Sequence, residues 1–331
     1  MENPFLYFVL FLILVAEFIN GWTDAPNAIA TVVSTRTLSP RKAIFLASFL
    51  NIMGSLSGTA VATTIGKGII SADLINLATV AAAVSSIILW GICTWYFGLP
   101  TSKSHALVSG LAGAGIASAG PDALIWGGLN KVLIGLVFST VCGLSLGWMV
   151  AQIVQRSFLH ASPNKARRLF SRLQVFSASL MAFSHGSNDG QKFIGAFALT
   201  LMLGGWTNEF TIPFWVVILC AVVMGLGTSL GGMRIIQTMG YKMLRLETYQ
   251  GFSAEAAAAT TIVIASKLGV PLSTTHTIST SILGVGIARN ASMVRWIVVR
   301  QIITAWILTF PVCGLLSYAI AKLFKFLAWG V

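Results

Sequence analysis

Two runs of this sequence set proline, hydroxyl and histidine residues at matched positions. Residues 98–117 read GLPTSKSHALVSGLAGAGIA, and residues 269–288 read GVPLSTTHTISTSILGVGIA. In this register Gly98, Pro100, Ser102, His105, Gly113 and Gly115 fall on Gly269, Pro271, Ser273, His276, Gly284 and Gly286, and Ser104 faces Thr275. Proline disfavours helix at the residue before it, and the hydroxyl residues that follow are good N-caps, so each run reads as the start of a helix. The first N–H groups of a helix lack partners and its dipole is positive there, which favours an anion. Ser102, Ser104, Ser273, Thr274 and Thr275 add hydroxyl donors at the same place. Two such starts facing one another would form an oxyanion cradle. His105 and His276 could donate to that anion, carry a proton, or lock the hairpin onto a backbone carbonyl, and the last role is favoured because the serines already provide donors.

Carboxylates are scarce, nine in 331 residues, so those in apolar context are informative. Phe18, Gly21 and Asp24 in FINGWTDAPNAIA pair with Phe183, Gly186 and Asp189 in FSHGSNDGQKFIG. Asp24 and Asp189 are expected in helix breaks made by Gly21, Pro26, Gly186 and Gly190. Asn27 and Asn188 stand beside them, and oxygen ligands of this kind suit a hard cation. Glu255 is a further candidate for the cation site, with a packing role equally open, and Glu17 is a weaker candidate. Lys103 and Lys192 are the basic residues inside the motifs, placed either to face an anion or to pair with an acid. An anion and cations bound together would cancel one another's charge, which allows both to be carried through a medium of low dielectric.

The elements that position these residues belong to a membrane protein. The chain is 56% hydrophobic and 9% charged with mean hydropathy +0.85, far from the composition of soluble domains. Stretches 4–20, 43–65, 74–97, 123–154, 212–232 and 296–320 are each long enough to approach a membrane span. The first lacks the basic start of a signal peptide and reads as a retained helix. The net charge of +12 sits in short segments between apolar stretches, which is a topological signal and not a nucleic-acid surface. No Lys or Arg precedes Arg36, whereas residues 155–172 hold five, so the linker is expected in the cytoplasm and the N-terminus outside. Cys93, Cys142, Cys220 and Cys313 have no metal or disulfide spacing and read as small buried apolar residues.

Each half carries the acidic motif first and the Pro-Ser-His motif second. This divides the chain into an N-terminal transmembrane repeat (1–154), a basic linker (155–172) and a C-terminal repeat (173–331). An odd number of crossings in the first half would invert the second, an architecture found in secondary transporters. The expected fold is an all-α polytopic membrane protein of two inverted-topology repeats with broken helices. The polar runs 98–118 and 269–289 are expected to be second arms of re-entrant hairpins, preceded by arms at 81–97 and 255–268.

The run GWTDAPNAIATVVSTRTLSPRKA resembles the first signature of the inorganic phosphate transporter (PiT) family, HGSNDGQKFIG resembles its second, and GFSAEAAAATTIVIASKLGVPLSTTHTISTSILGVG is similar to its C-terminal block. The resemblance covers nearly the whole chain. It implies a symporter in the cell membrane that carries inorganic phosphate with sodium or, in some bacterial members, with protons as a metal-phosphate complex. Carried over by position, the phosphate ligands would be Asn27, Ser102, Ser104, Ser187, Asn188, Ser273, Thr274 and Thr275, and the sodium ligands Asp24, Asn27, Asp189 and Glu255, with His105, His276, Lys103 and Lys192 in support. Thr23 stands where the family often has Asn, and Gln191 and Lys192 replace the repeated Asn pattern, so the halves are not chemically equivalent. The short linker suggests a compact prokaryotic member, for which a homodimer is an open expectation. Sodium is expected over protons because the paired Asp and Asn positions offer anionic and neutral oxygens. A rival reading, an intramembrane hydrolase using Ser102 or Ser104 with a histidine, places serine and histidine too close on one helix start to share a hydrogen bond and lacks a GxSxG turn.

Overall fold

The computed structural model describes residues 4–327, which are helical with no strand among them apart from an isolated bridge between Ile70 and Leu124. The first half comprises α1 (Pro4–Ser34), α2 (Pro40–Ser55), α3 (Ala60–Gly68), α4 (Leu77–Tyr96), α5 (Lys103–Ala119) and α6 (Trp126–Ser157). The second comprises α7 (Pro163–His185), a π-helical turn at Gly186–Gly190, α8 (Gln191–Leu203), α9 (Phe214–Thr228), α10 (Met233–Ile236) with a second π turn at Gln237–Lys242, α11 (Thr248–Lys267), α12 (Thr274–Asn290) and α13 (Trp296–Phe326). Four helices, α1, α4, α6 and α13, are long and apolar enough to cross a membrane. Two bent pairs, α2 with α3 at 67° and α9 with residues 233–242 at 62°, raise the number to six.

The same order of elements recurs: an acid-bearing helix, a bent pair, a hairpin, and a long closing helix. Packing crosses between the halves. α5 lies against α13 and α12 against α6, while α1 packs on α9 and α7 on α2. Glycine makes the last two crossings close. A Cβ at Gly21 would lie 2.2 Å from the Met224 carbonyl oxygen, and one at Gly186 would lie 2.2 Å from that of Asn51.

The breaks lie elsewhere than the sequence suggested. α1 runs unbroken through Gly21 and Pro26. Proline inside a membrane helix is tolerated where neighbours fill and satisfy the freed backbone, and here Gly232 presses against the turn, its virtual Cβ 2.7 Å from the Trp22 oxygen and 2.9 Å from Pro26 Cδ. Gly232 adopts the left-handed region, φ 52°, as does Gly231 at 79°, and this pair makes the bend after α9. In the second half the break expected at Gly186 and Gly190 is a π turn within a continuous helical path. Stretches 43–65 and 212–232, read as single spans, are the bent ones. The first hairpin arm begins at Leu77, ahead of the expected 81, and is long and apolar enough to cross a membrane, and α11 begins at Thr248, ahead of the expected 255. Most of the 155–172 linker is helical, α6 ending at Ser157 and α7 starting at Pro163.

Two apolar cores stand on either side of a polar layer. One gathers Leu6–Ala16 of α1 with α4, α5 and α8, including Ile13, Val84, Leu107 and Phe193. The other gathers Ala28–Val33 of α1 with α7, α11 and α12, including Ile29, Met181, Ile262 and Ile282. Between them on α1 lie Glu17, Asn20, Thr23, Asp24 and Asn27, all buried. The outer surface is apolar as well, with Phe45, Val137, Phe214, Ile307 and Leu315 exposed, as a lipid-facing surface requires.

Candidate functional site

The starts of α5 and α12 meet in the polar layer. Ser102 caps α5 by accepting from the His105 N–H at 3.3 Å, and Ser273 caps α12 by accepting from the His276 N–H at 3.1 Å. The same residue type closes the same turn in both halves, as the matched motifs suggest. Each capping oxygen acts as an acceptor, which leaves its own O–H to donate elsewhere.

Both aspartates stand among these starts. Asp24 Oδ1 pairs with Lys103 Nζ at 3.1 Å, while its Oδ2 accepts from Asn27 and from Thr275 Oγ1, each at 3.3 Å. Asp189 Oδ1 pairs with Lys192, and its Oδ2 accepts from Thr274 Oγ1 at 2.8 Å and faces His185 Nε2 at 3.3 Å. Lys192 Nζ also donates to Ser104 Oγ at 2.5 Å and to the Leu272 carbonyl at 2.9 Å. Asn27 Nδ2 reaches Thr275 Oγ1 at 2.9 Å, tying α1 to the second hairpin. Every one of these side chains is buried, and each lysine meets a carboxylate there, the partner that a buried charge requires. Two negative and two positive charges cancel in this cluster.

Several site candidates lie outside that cluster. Ser187 donates to the Ser184 carbonyl at 2.8 Å and to Ser266 at 3.3 Å, and Asn188 donates to Ser266 at 3.0 Å and to the Val270 carbonyl at 3.2 Å. Asn188 Oδ1 also accepts from the Leu272 N–H at 3.3 Å. These residues fasten the π turn to the loop between α11 and α12. His105 and His276 meet edge to face at 4.5 Å, and His276 stacks on Trp306 of α13 at 3.7 Å, so the histidines hold the hairpin starts together. Glu255 does not join Asp24 and Asp189. It accepts from Thr31 Oγ1 at 2.5 Å, from Gln174 Nε2 at 3.3 Å and from Ser177, a separate buried node. Gln174 in turn accepts from Thr35 at 2.8 Å, and Thr35 lines a cavity of about 540 Å³ beside the start of α7.

His185 escaped the sequence reading although it stands four residues before Asp189 on the same helical face. Asn51 Nδ2 donates to Thr228 at 3.0 Å, which turns its carbonyl oxygen to His185 Nδ1 at 3.1 Å and aims Nε2 at Asp189. Ligand atoms of Asp24, His185 and Asp189 lie within 4.8 Å of one another, a donor set that suits a divalent cation.

This centre brings two lysines, hydroxyls and two helix starts together, donor chemistry of the kind that suits a small oxyanion. The profile of the phosphate transporter family matches residues 20–317. The chain belongs to that family. The transporter is 44% identical over 316 residues to a Rhizobium meliloti protein named "Probable low-affinity inorganic phosphate transporter", with 95% of each chain covered. A Bacillus subtilis protein of the same name is 39% identical over 307 residues, with 92% of each covered. A solved structure called "The sodium-dependent phosphate transporter" superposes with TM-score 0.87 at 24% identity, covering 98% of this chain and all of the other, and shares its fold. Family membership sets aside the hydrolase reading, and Ser104 agrees with that, its hydroxyl donating to the Leu272 carbonyl at 2.6 Å and not to a histidine.

Proposed function

We propose that the transporter imports inorganic phosphate across the cell membrane by cation-coupled symport, its halves being inverted repeats that open the central site to one side and then the other. The observation that carries this reading is the pair of lysines held on paired aspartates at two facing helix starts. Phosphate entering there draws Lys103 and Lys192 towards itself and takes donors from Ser104, Thr274, Thr275 and Asn27. The cluster is neutral before phosphate arrives, so the bound anion leaves one or two uncompensated negative charges, and burying these without company is costly. Cations that travel with phosphate remove that cost.

The coupling ion depends on what holds the aspartates. Sodium is the choice favoured by the sequence, but before phosphate arrives each aspartate has a lysine on Oδ1 and amide or hydroxyl donors on Oδ2, with no oxygen left for a metal ion, and we take protons as the coupling ion. Sodium is the second reading, supported by the similarity in fold to a protein called sodium-dependent and by the Asn and Thr oxygens beside Asp24. A divalent cation carried with the phosphate would meet Asp24, Asp189 and His185. The N-terminus is taken to lie outside and the linker in the cytoplasm, from the distribution of basic residues. Phosphate uptake into proteoliposomes under an imposed pH or sodium gradient tests the reading. Uptake driven by pH and indifferent to sodium is expected, and uptake driven by sodium alone would overturn the choice of proton.

A further inference from the structure

Two buried acids stand apart from the phosphate site, Glu255 with three hydrogen-bond donors around it and Glu17 with an oxygen that has none. Glu17 lies on α1 seven residues before Asp24, and it is fully buried. Its Oε2 accepts from Asn20 Nδ2 at 3.1 Å. Its Oε1 has no hydrogen-bond partner, and neither has the side-chain oxygen of Asn20. None of the ion pairs among the described residues involves Glu17.

Two orphaned acceptors on adjacent side chains mark a missing donor. An ionised carboxylate buried with one amide and no cation is costly, and a proton removes the charge. A proton on Oε1 also provides the O–H that the Asn20 oxygen lacks. A carboxylic acid and a primary amide are complementary in this way, the amide N–H₂ donating to one acid oxygen while the acid O–H donates to the amide oxygen. One proton therefore resolves both defects.

The position on α1 connects this pair with the substrate centre. Glu17, Asn20, Asp24, Asn27 and Thr31 are spaced by three and four residues, so they lie on one face of the helix, and all five are buried. That polar face runs about 21 Å at 1.5 Å per residue through a largely apolar helix. It ends where Thr31 meets Glu255. The titratable groups that act on Glu17 are Asp189 of the π turn, Lys192 of α8, Asp24 of its own helix, and Cys220 of α9. When phosphate draws Lys192 away from Asp189, the field at Glu17 becomes more negative, and it is restored when phosphate leaves. Glu17 has no counterpart in the other half, where the matched position is Ala182.

We propose that Glu17 is the proton-carrying group of this transporter, holding a proton on Oε1 while phosphate is bound and giving it up where phosphate is released. The inference rests on the proton-coupled reading above. The test uses the full chain in proteoliposomes, with Glu17→Gln as a permanently neutral mimic whose amide N–H₂ can still donate to Asn20. Wild-type protein is expected to accumulate phosphate about tenfold per proton for each unit of imposed pH gradient. Glu17→Gln is expected to lose that accumulation while still exchanging phosphate for phosphate across the membrane, since exchange needs no proton release. A wild-type protein indifferent to the pH gradient would overturn the proton-coupled reading and this inference with it. Wild type and Glu17→Gln driven equally by pH would overturn the role of Glu17 alone, as would a folded Glu17→Gln protein that has lost exchange too. If Glu17→Gln does not fold, Glu17→Asp decides, with a shifted pH midpoint of uptake expected and an unshifted one overturning the assignment.

Discussion

The two halves reach the same electrostatic result by different means. In the first, Asp24 sits in an unbroken α1 and receives its lysine from the hairpin, Lys103 at the start of α5. In the second, Asp189 sits in a π turn and receives Lys192 from the next turn of its own helical path, with His185 on its other oxygen. In the matched registers Lys103 corresponds to Thr274, and Lys192 corresponds to Asn27. Each half thus holds one lysine and one neutral donor, in exchanged positions. The duplicated scaffold preserves one ammonium per carboxylate and lets the residue that supplies it change. On the proposed function, an anion held there would meet two unlike sides, and each half would have a different set of bonds to release as access alternates.

Exchanging the donors breaks this comparison most severely. Lys103→Thr with Thr274→Lys places two ammonium groups at Asp189 and none at Asp24. An uncompensated buried carboxylate costs about 3–5 kcal/mol, so phosphate uptake is expected to fall by roughly a hundredfold or more. Adding Asn27→Lys and Lys192→Asn returns one lysine to each aspartate, and uptake measured in proteoliposomes is expected to recover in part. A quadruple variant no better than the double would show that position matters beyond charge.

The glycine crossings sharpen the comparison at a smaller scale. Gly21 and Gly186 occupy matched positions, and each lets its helix touch a backbone carbonyl of the bent pair in the other half. Gly21→Ala and Gly186→Ala are both expected to destabilise by about 1–3 kcal/mol through overpacking, read as a lower thermal midpoint in detergent. Gly186→Ala is expected to cost uptake as well, because it displaces Asn51 and so His185. The smallest effect is at the caps. Ser102→Ala and Ser273→Ala should each lower stability by about 1 kcal/mol, equally in the two halves, since each removes one oxygen that holds a histidine N–H.

The paired motifs were legible because Pro, Ser and His recur in one register, and the helix starts and the caps follow directly from those residue types. Asp24, Asp189, Lys103 and Lys192 could be singled out because charge is rare in this chain. Their partners could not, because the lysine that meets each aspartate depends on how α5 and α8 cross α1, and spacing along a chain carries no such information. Residue chemistry leaves Glu255 open between the cation site and a packing role, and the packing of α11 against α7 and α1 gives it hydrogen bonds with Thr31, Gln174 and Ser177. The breaks were misplaced for a related reason. Proline at residue 26 carries a strong local signal, yet neighbours absorb it, while the bends after Ser55 and Thr228 lie inside stretches whose mean hydropathy hides them. His185 and the Glu17–Asn20 pair were visible at helical spacing, and only burial gives them meaning.

Binding of radiolabelled phosphate to the purified protein tests the central claim, that two lysines from unlike places in the two halves hold the anion together. Lys103→Met and Lys192→Met are each expected to weaken binding by about tenfold or more, the value of one charge-assisted hydrogen bond. Wild-type affinity in both variants would contradict it.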